Sequence, residues 1–110
     1  MKTTSRILGT AVLCLVANVA SAVVDGNAAQ ALMKKSDCFR CHSIDMKKDG
    51  PPYKEVASKL RGKPDAEEKL YRHLTTYPTI KIAGKNEDHI TLKTKDESEI
   101  RNVIHWILTL

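Results

Sequence analysis

Apolar residues recur at helical spacing near both ends of the chain after residue 22. Within residues 26 to 37 they form a single stripe, which predicts a first helix. A longer stripe follows Asp96, which with Glu99 three residues later forms a predicted capping box. Its spacing of i, i+3, i+4, i+7 and i+8 is typical of a buried helix face. The two stripes are Ala28, Ala29, Leu32 and Met33, then Ile100, Val103, Ile104, Ile107 and Leu108.

Two shorter helices are predicted between these stripes. Pro52 can begin the first of them, which runs through Leu60 to a break that contains glycine and proline. Asp65 is the expected cap of the next helix, with Glu68 completing a capping box. The residues of that helix expected to face inward are Leu70 and Leu74.

The stretch from residue 79 to residue 95 is predicted to be a long loop. It follows Tyr77 and Pro78, which end the preceding helix, and it shows no sustained helical period. Long ordered loops are usually functional. Since no segment alternates long enough for a convincing strand, the pattern predicts an all-α fold.

Residues 1–22 are expected to be a signal peptide rather than part of the domain. Lys2 and Arg6 precede an apolar run that is too short to span a membrane comfortably. Ala20-Ser21-Ala22 fits a cleavage site, so the mature domain is residues 23–110. This predicts an exported, periplasmic protein without a membrane anchor.

Charge narrows the possible partners. The formal net charge is +5 over the whole chain, and residues 23–110 hold 16 cations against 13 acids. The sequence has no basic run with interleaved aromatic residues, so it gives no indication of nucleic-acid binding.

Small domains bury little apolar surface, so a chain of this size gains stability from a bound group in its core.

Residues 38 to 42 read CFRCH and carry the chemistry of the chain. Cys38 and Cys41 alone are consistent with a redox pair or half of a zinc site. The adjacent His42 makes the run a C-x-x-C-H motif, which attaches c-type haem through two thioethers and supplies one axial ligand. The third cysteine of the chain, Cys14, would be removed with the signal peptide.

The mature chain resembles the small bacterial class I cytochromes c, which carry one haem. The resemblance lies in CFRCHSID followed by GPPYKEVASKLRG, and in the final DESEIRNVIHWILTL. It implies an all-α class I fold in which the N- and C-terminal helices cross beside one covalent haem c. It also implies that His42 is the proximal ligand and that the carbonyl of Pro51 accepts its ring N–H, a bond that fixes the imidazole.

The distal side departs from the family. Members usually place a methionine about sixteen residues before the tryptophan of the last helix, but here no methionine follows Met46. Counting back from Trp106 gives Ile90, and the neighbouring His89 is the expected distal ligand. Tyr53 and Tyr77 are candidate contacts of the haem edge, and Lys81 or Lys85 could add to these. His73 and His105 are predicted to face solvent.

These residues predict a periplasmic electron carrier and not an enzyme. Two histidine ligands saturate the iron and lower its potential relative to a methionine-ligated relative. Its partners would be redox proteins that dock transiently, and the sequence leaves monomer and dimer open. The alternatives are a haem protein that binds CO, NO or peroxide at a labile distal site, or the haem subunit of a larger oxidoreductase.

Overall fold

The computed structural model describes Gly9 and residues 23–110, so the predicted signal peptide otherwise lies outside the described residues. Within the described part, five helices and one two-stranded sheet form the domain. The helices are α1 (Gly26–Lys35), α2 (Cys38–Cys41), α3 (Tyr53–Leu60), α4 (Ala66–Thr75) and α5 (Glu97–Leu108), and the strands are β1 (Thr79–Ile82) and β2 (Lys85–Asp88). No helix among these residues is long and apolar enough to cross a bilayer.

The first and last helices pack against each other, as expected. A β-carbon on Gly26 would lie 3.1 Å from Nε1 of Trp106, so glycine permits the close approach. Asn102 fastens the same contact, because its side chain accepts from the amide of Asp25 at 2.9 Å and donates to its carbonyl at 2.8 Å. The core on this contact includes Ala29, Met33, Ile100, Val103, Ile104 and Ile107.

The predicted start of α5 is confirmed in part. The Asp96 carboxylate accepts hydrogen bonds from the amides of Ser98 and Glu99, which satisfies two of the free N–H groups of the first turn. The second hydrogen bond of a capping box, from the Asp96 amide to the Glu99 side chain, is not formed. The Glu99 carboxylate instead accepts from the Thr94 hydroxyl, and that hydroxyl in turn accepts from the Asp96 amide.

The capping box predicted for α4 is wrong. Asp65 precedes the helix but makes no side-chain cap bond. Its carboxylate pairs with Lys69 at 3.0 Å, one turn along the helix, and this pair competes with capping. The inward face was predicted correctly, because Leu70 and Leu74 are both buried.

The long loop predicted for residues 79 to 95 contains a β-hairpin, which corrects the expectation of no strand. Strands β1 and β2 pair antiparallel, from Thr79 opposite Asp88 to Ile82 opposite Lys85. Ala83 and Gly84 form the connection with φ angles of 49° and 78°. Positive φ at both central residues is typical of a tight hairpin turn. Each strand has four residues, too few for alternation to stand out in the sequence.

Candidate functional site

A cavity of about 590 Å³ opens between α2, α3, α4 and the β-hairpin. This volume lies within the roughly 300–1,000 Å³ that is usual for cofactor sites. The apolar side chains of its wall include Val56, Leu60, Leu70, Leu74, Ile80 and Ile107. The polar groups central to its chemistry are Cys38, Cys41, His42, Tyr53, His73 and His89.

His42 is held in one orientation at the end of α2. Its Nδ1 donates to the carbonyl oxygen of Pro51 at 2.7 Å. A carbonyl only accepts, so Nδ1 carries a proton and Nε2 is the ring nitrogen left to bind a metal. The buried Tyr53 ring stacks on the imidazole with centroids 4.8 Å apart. Gly50 lies so close that a β-carbon there would meet Cε1 of the ring at 2.5 Å.

His89 also lines the cavity and is held there by a different part of the chain. It directly follows β2, and its amide donates to the carbonyl of Pro78 at 2.8 Å. Three residues later, the amide of Leu92 donates to the carbonyl of Leu74 at 3.0 Å, which ties the segment to α4. The Nδ1 atom of His89 is buried and has no hydrogen-bond partner among the described residues.

The imidazole rings of His42 and His89 lie close together in the cavity. Their ring centroids are 6.1 Å apart. Two metal–imidazole bonds of about 2.0–2.1 Å, extended by the size of each ring, put trans centroids roughly 6 Å apart. A metal ion held by both rings would require a centroid separation of this size.

His73 also lies in the cavity, so the prediction that it faces solvent is wrong. Its ring centroid is 3.9 Å from that of His89. Three possible ligand atoms, one each from His42, His73 and His89, all lie within 4.8 Å of one another. A signal for this was present in the sequence, because His73 follows the inward-facing Leu70 by three residues and such residues share a helix face.

Burial controls the charge of the two neighbouring histidines. It lowers the pKa of His73 to about 4, with a further lowering from His89. Burial also lowers the pKa of His89, and the nearby His42 adds to the effect. Both rings are therefore neutral at pH 7, the form in which imidazole binds a metal.

The remaining predicted residues divide between the cavity and the surface. Tyr53 lines the cavity, and burial raises the pKa of its phenol, so it stays protonated. Lys81 is also in the lining, whereas Tyr77 is 63% exposed and Lys85 is outside it. His105, predicted to face solvent, is partly exposed and lies outside the cavity lining, and its Nε2 contacts a carboxylate oxygen of Glu67 at 3.0 Å.

No methionine of the described chain reaches the cavity. Met33 is fully buried in α1, and Met46 is 68% exposed on the segment after α2. Neither is in the cavity lining. The thioether ligand expected in the wider family therefore has no counterpart among the described residues.

The sequence profile of the family described as cytochrome c matches residues 27–110. The chain belongs to the cytochrome c family. It is 44% identical over 81 residues to cytochrome c-551 of Stutzerimonas stutzeri, which covers 74% of this chain and 75% of that protein. It is 32% identical over 100 residues to cytochrome c-552 of Nitrosomonas europaea, covering 83% and 89%. Two other matches, to cytochromes c-551, span less than half of those proteins.

The solved structures agree with this family. The crystal structure of the class 1 cytochrome MtoD from Sideroxydans lithotrophicus ES-1 superposes with a TM-score of 0.75 and 44% identity. The match covers 79% of this chain and 97% of that one. The chain is thus a small monohaem class I cytochrome c, an electron-transfer protein with one covalent haem c.

The residues of the cavity fit haem c. Two free thiols and an imidazole with a bare Nε2 share one wall. The facing wall offers a histidine with an orphaned buried nitrogen, a group that a bound metal would compensate. Aliphatic side chains around them suit a flat apolar ring.

Proposed function

We propose that this cytochrome c is a periplasmic electron carrier whose iron is held by His42 and His89. The observation that carries the proposal is the 6.1 Å separation of the two ring centroids across the cavity. It is supported by the two described methionines, both of which lie outside the cavity lining. Cys38 and Cys41 would hold the two thioethers on the proximal side.

Haem c supplies a one-electron Fe(III)/Fe(II) couple when bound. The chain supplies fixed ligands, because the Pro51 carbonyl orients His42 and the hairpin with Pro78 positions His89. Ligands that hold their positions during each transfer step keep reorganisation small. Two ligands also leave no coordination position for a substrate, which favours a carrier over an enzyme. Methionine in place of one histidine raises the potential of a cytochrome c, so two histidines imply a lower one.

The axial assignment is tested by His89→Met in the holoprotein. We expect the midpoint potential to rise, and the ferric spectrum to gain the charge-transfer band of methionine ligation. His105→Met is the matched control, because His105 lies on α5 outside the cavity lining, and it should leave both unchanged. An unchanged potential in His89→Met would refute the assignment of His89.

Export and attachment are tested together by mass. Periplasmic material from a host that matures c-type cytochromes should have the mass of residues 23–110 plus one haem. Cys38→Ala with Cys41→Ala should abolish covalent attachment, because both thioethers are then lost. A wild-type chain that retains residues 1–22, or that lacks haem, would contradict this part of the proposal.

Docking of redox partners is proposed to be transient and electrostatic. The exposed residues that line the cavity include both cations and acids, among them Arg40, Lys69, Lys81, Glu87 and Asp88. Exposed charges are screened beyond about 10 Å at 0.1 M ionic strength. The rate of electron exchange with a purified partner should therefore change with salt. A rate that stays flat would exclude a part for these charges.

A further inference from the structure

The histidine cluster contains one imidazole more than the iron requires. With His42 and His89 as axial ligands, His73 has no assigned part, yet it lies in contact with His89. No hydrogen bond within the described residues holds its ring. A half-buried imidazole without an assigned part, in contact with the proposed ligand His89, calls for an explanation.

We propose that His73 is a reserve distal ligand, which coordinates the iron when His89 detaches or is replaced. This inference rests on the proposed axial pair of His42 and His89. It concerns exchange at the same distal position, and it adds no new site.

The first support is distance. A nitrogen trans to His42 must lie about 4 Å from the coordinating nitrogen of His42, since each metal–imidazole bond is about 2.0–2.1 Å. A nitrogen of His73 lies within 4.8 Å of ligand atoms of both other histidines. This limit exceeds the separation required of a trans pair by less than about 1 Å, a gap that side-chain rotation can close.

The second support is the difference between the two supporting elements. His89 follows β2, all of whose residues are exposed. His73 lies on α4, which Leu70 and Leu74 anchor in the core. Segments with few buried contacts open locally at lower free energy than core helices. His89 would therefore leave first, and His73 would still be in position to replace it.

Such a replacement would keep the iron six-coordinate while the hairpin moves. External ligands would then compete with His73 even after His89 has left. A reserve ligand would leave no open distal position, which disfavours the binding of CO, NO or peroxide at a labile site.

The test compares ferric absorption and electron paramagnetic resonance spectra of three holoprotein variants. His89→Ala should stay six-coordinate and low-spin, because His73 takes the position. The double variant His89→Ala/His73→Ala should lose the low-spin spectrum and regain it when imidazole is added. The matched control His89→Ala/His105→Ala should behave as His89→Ala does. Imidazole should bind to His89→Ala at least about tenfold more weakly than to the double variant, which corresponds to about 1.4 kcal/mol of competition.

Failure of this inference is distinguishable from failure of the axial assignment. If His89→Ala is high-spin, His73 is not a reserve ligand and the resident pair stands. If the double variant stays low-spin, another group fills the position and His73 is not the reserve; the potential of His89→Met then decides the resident pair. If His73→Ala alone loses the low-spin spectrum, His73 is the resident ligand and the assignment of His89 fails. Should the double variant not mature, cyanide binding to the single variant decides the question. His73→Ala should then bind cyanide faster than wild type, and an equal rate overturns the proposal.

Discussion

Substitution of Gly50 tests how firmly the fold holds the imidazole of His42. A β-carbon at this position would lie 2.5 Å from Cε1 and 2.8 Å from Nδ1 of His42, well inside van der Waals contact. The backbone of Gly50 is not in the left-handed region, so alanine is compatible with its conformation. The effect of Gly50→Ala therefore comes from crowding alone, which should turn the ring and stretch its 2.7 Å bond to Pro51.

The size of the effect follows from those two contacts. Overpacking a filled site costs about 1–3 kcal/mol, and weakening the hydrogen bond adds on the order of 1 kcal/mol. The free energy of unfolding should fall by about 2–4 kcal/mol. The bond to Pro51 also makes the imidazole more basic, which favours ferric iron. Losing about 0.5–1 kcal/mol of that preference would raise the midpoint potential by roughly 20–45 mV, since 59 mV is tenfold for one electron.

Urea unfolding and a redox titration measure the two quantities. Gly62→Ala is the control, because Gly62 has φ of 80° and no atom within 4 Å of its β-carbon position. It should lose about 1–2 kcal/mol through backbone strain, without a change in potential. If Gly50→Ala leaves the potential where it was, or if both variants shift it equally, the ring does not depend on Gly50.

Two further predictions concern stability. Ser36 is fully buried and its hydroxyl accepts from the Lys93 amide at 2.9 Å, so Ser36→Ala should cost about 1–3 kcal/mol in urea unfolding; the exposed Ser58→Ala should cost almost nothing. The pKa of His73 falls from 6.5 to about 4 on burial, so its contribution to stability is present above pH 6.5 and is lost as the pH falls towards 4. His73→Gln should flatten that part of the stability profile and His105→Gln should not; equal slopes in both variants would contradict the assignment.

Local patterns in the sequence were sufficient to predict haem attachment and the buried faces of two helices. The C-x-x-C-H run predicts haem c from five adjacent residues, because attachment needs only that spacing. The stripe of α5 and the inward face of α4 were predicted correctly, since apolar residues at helical spacing have to be buried together. These features depend on residues within about two helical turns of one another, so the sequence alone reveals them.

Tertiary structure determines which residues lie around His89 in the cavity. His73 was expected to face solvent, but α4 packs so that it reaches His89, sixteen residues later in the chain. The hairpin was missed because its four-residue strands gain their order from each other and from the Pro78 carbonyl that holds His89. The buried Ser36 met the Lys93 amide across 57 positions. Periodicity describes which face of a helix is apolar, whereas contacts between distant segments depend on how the packed helices bring those segments together.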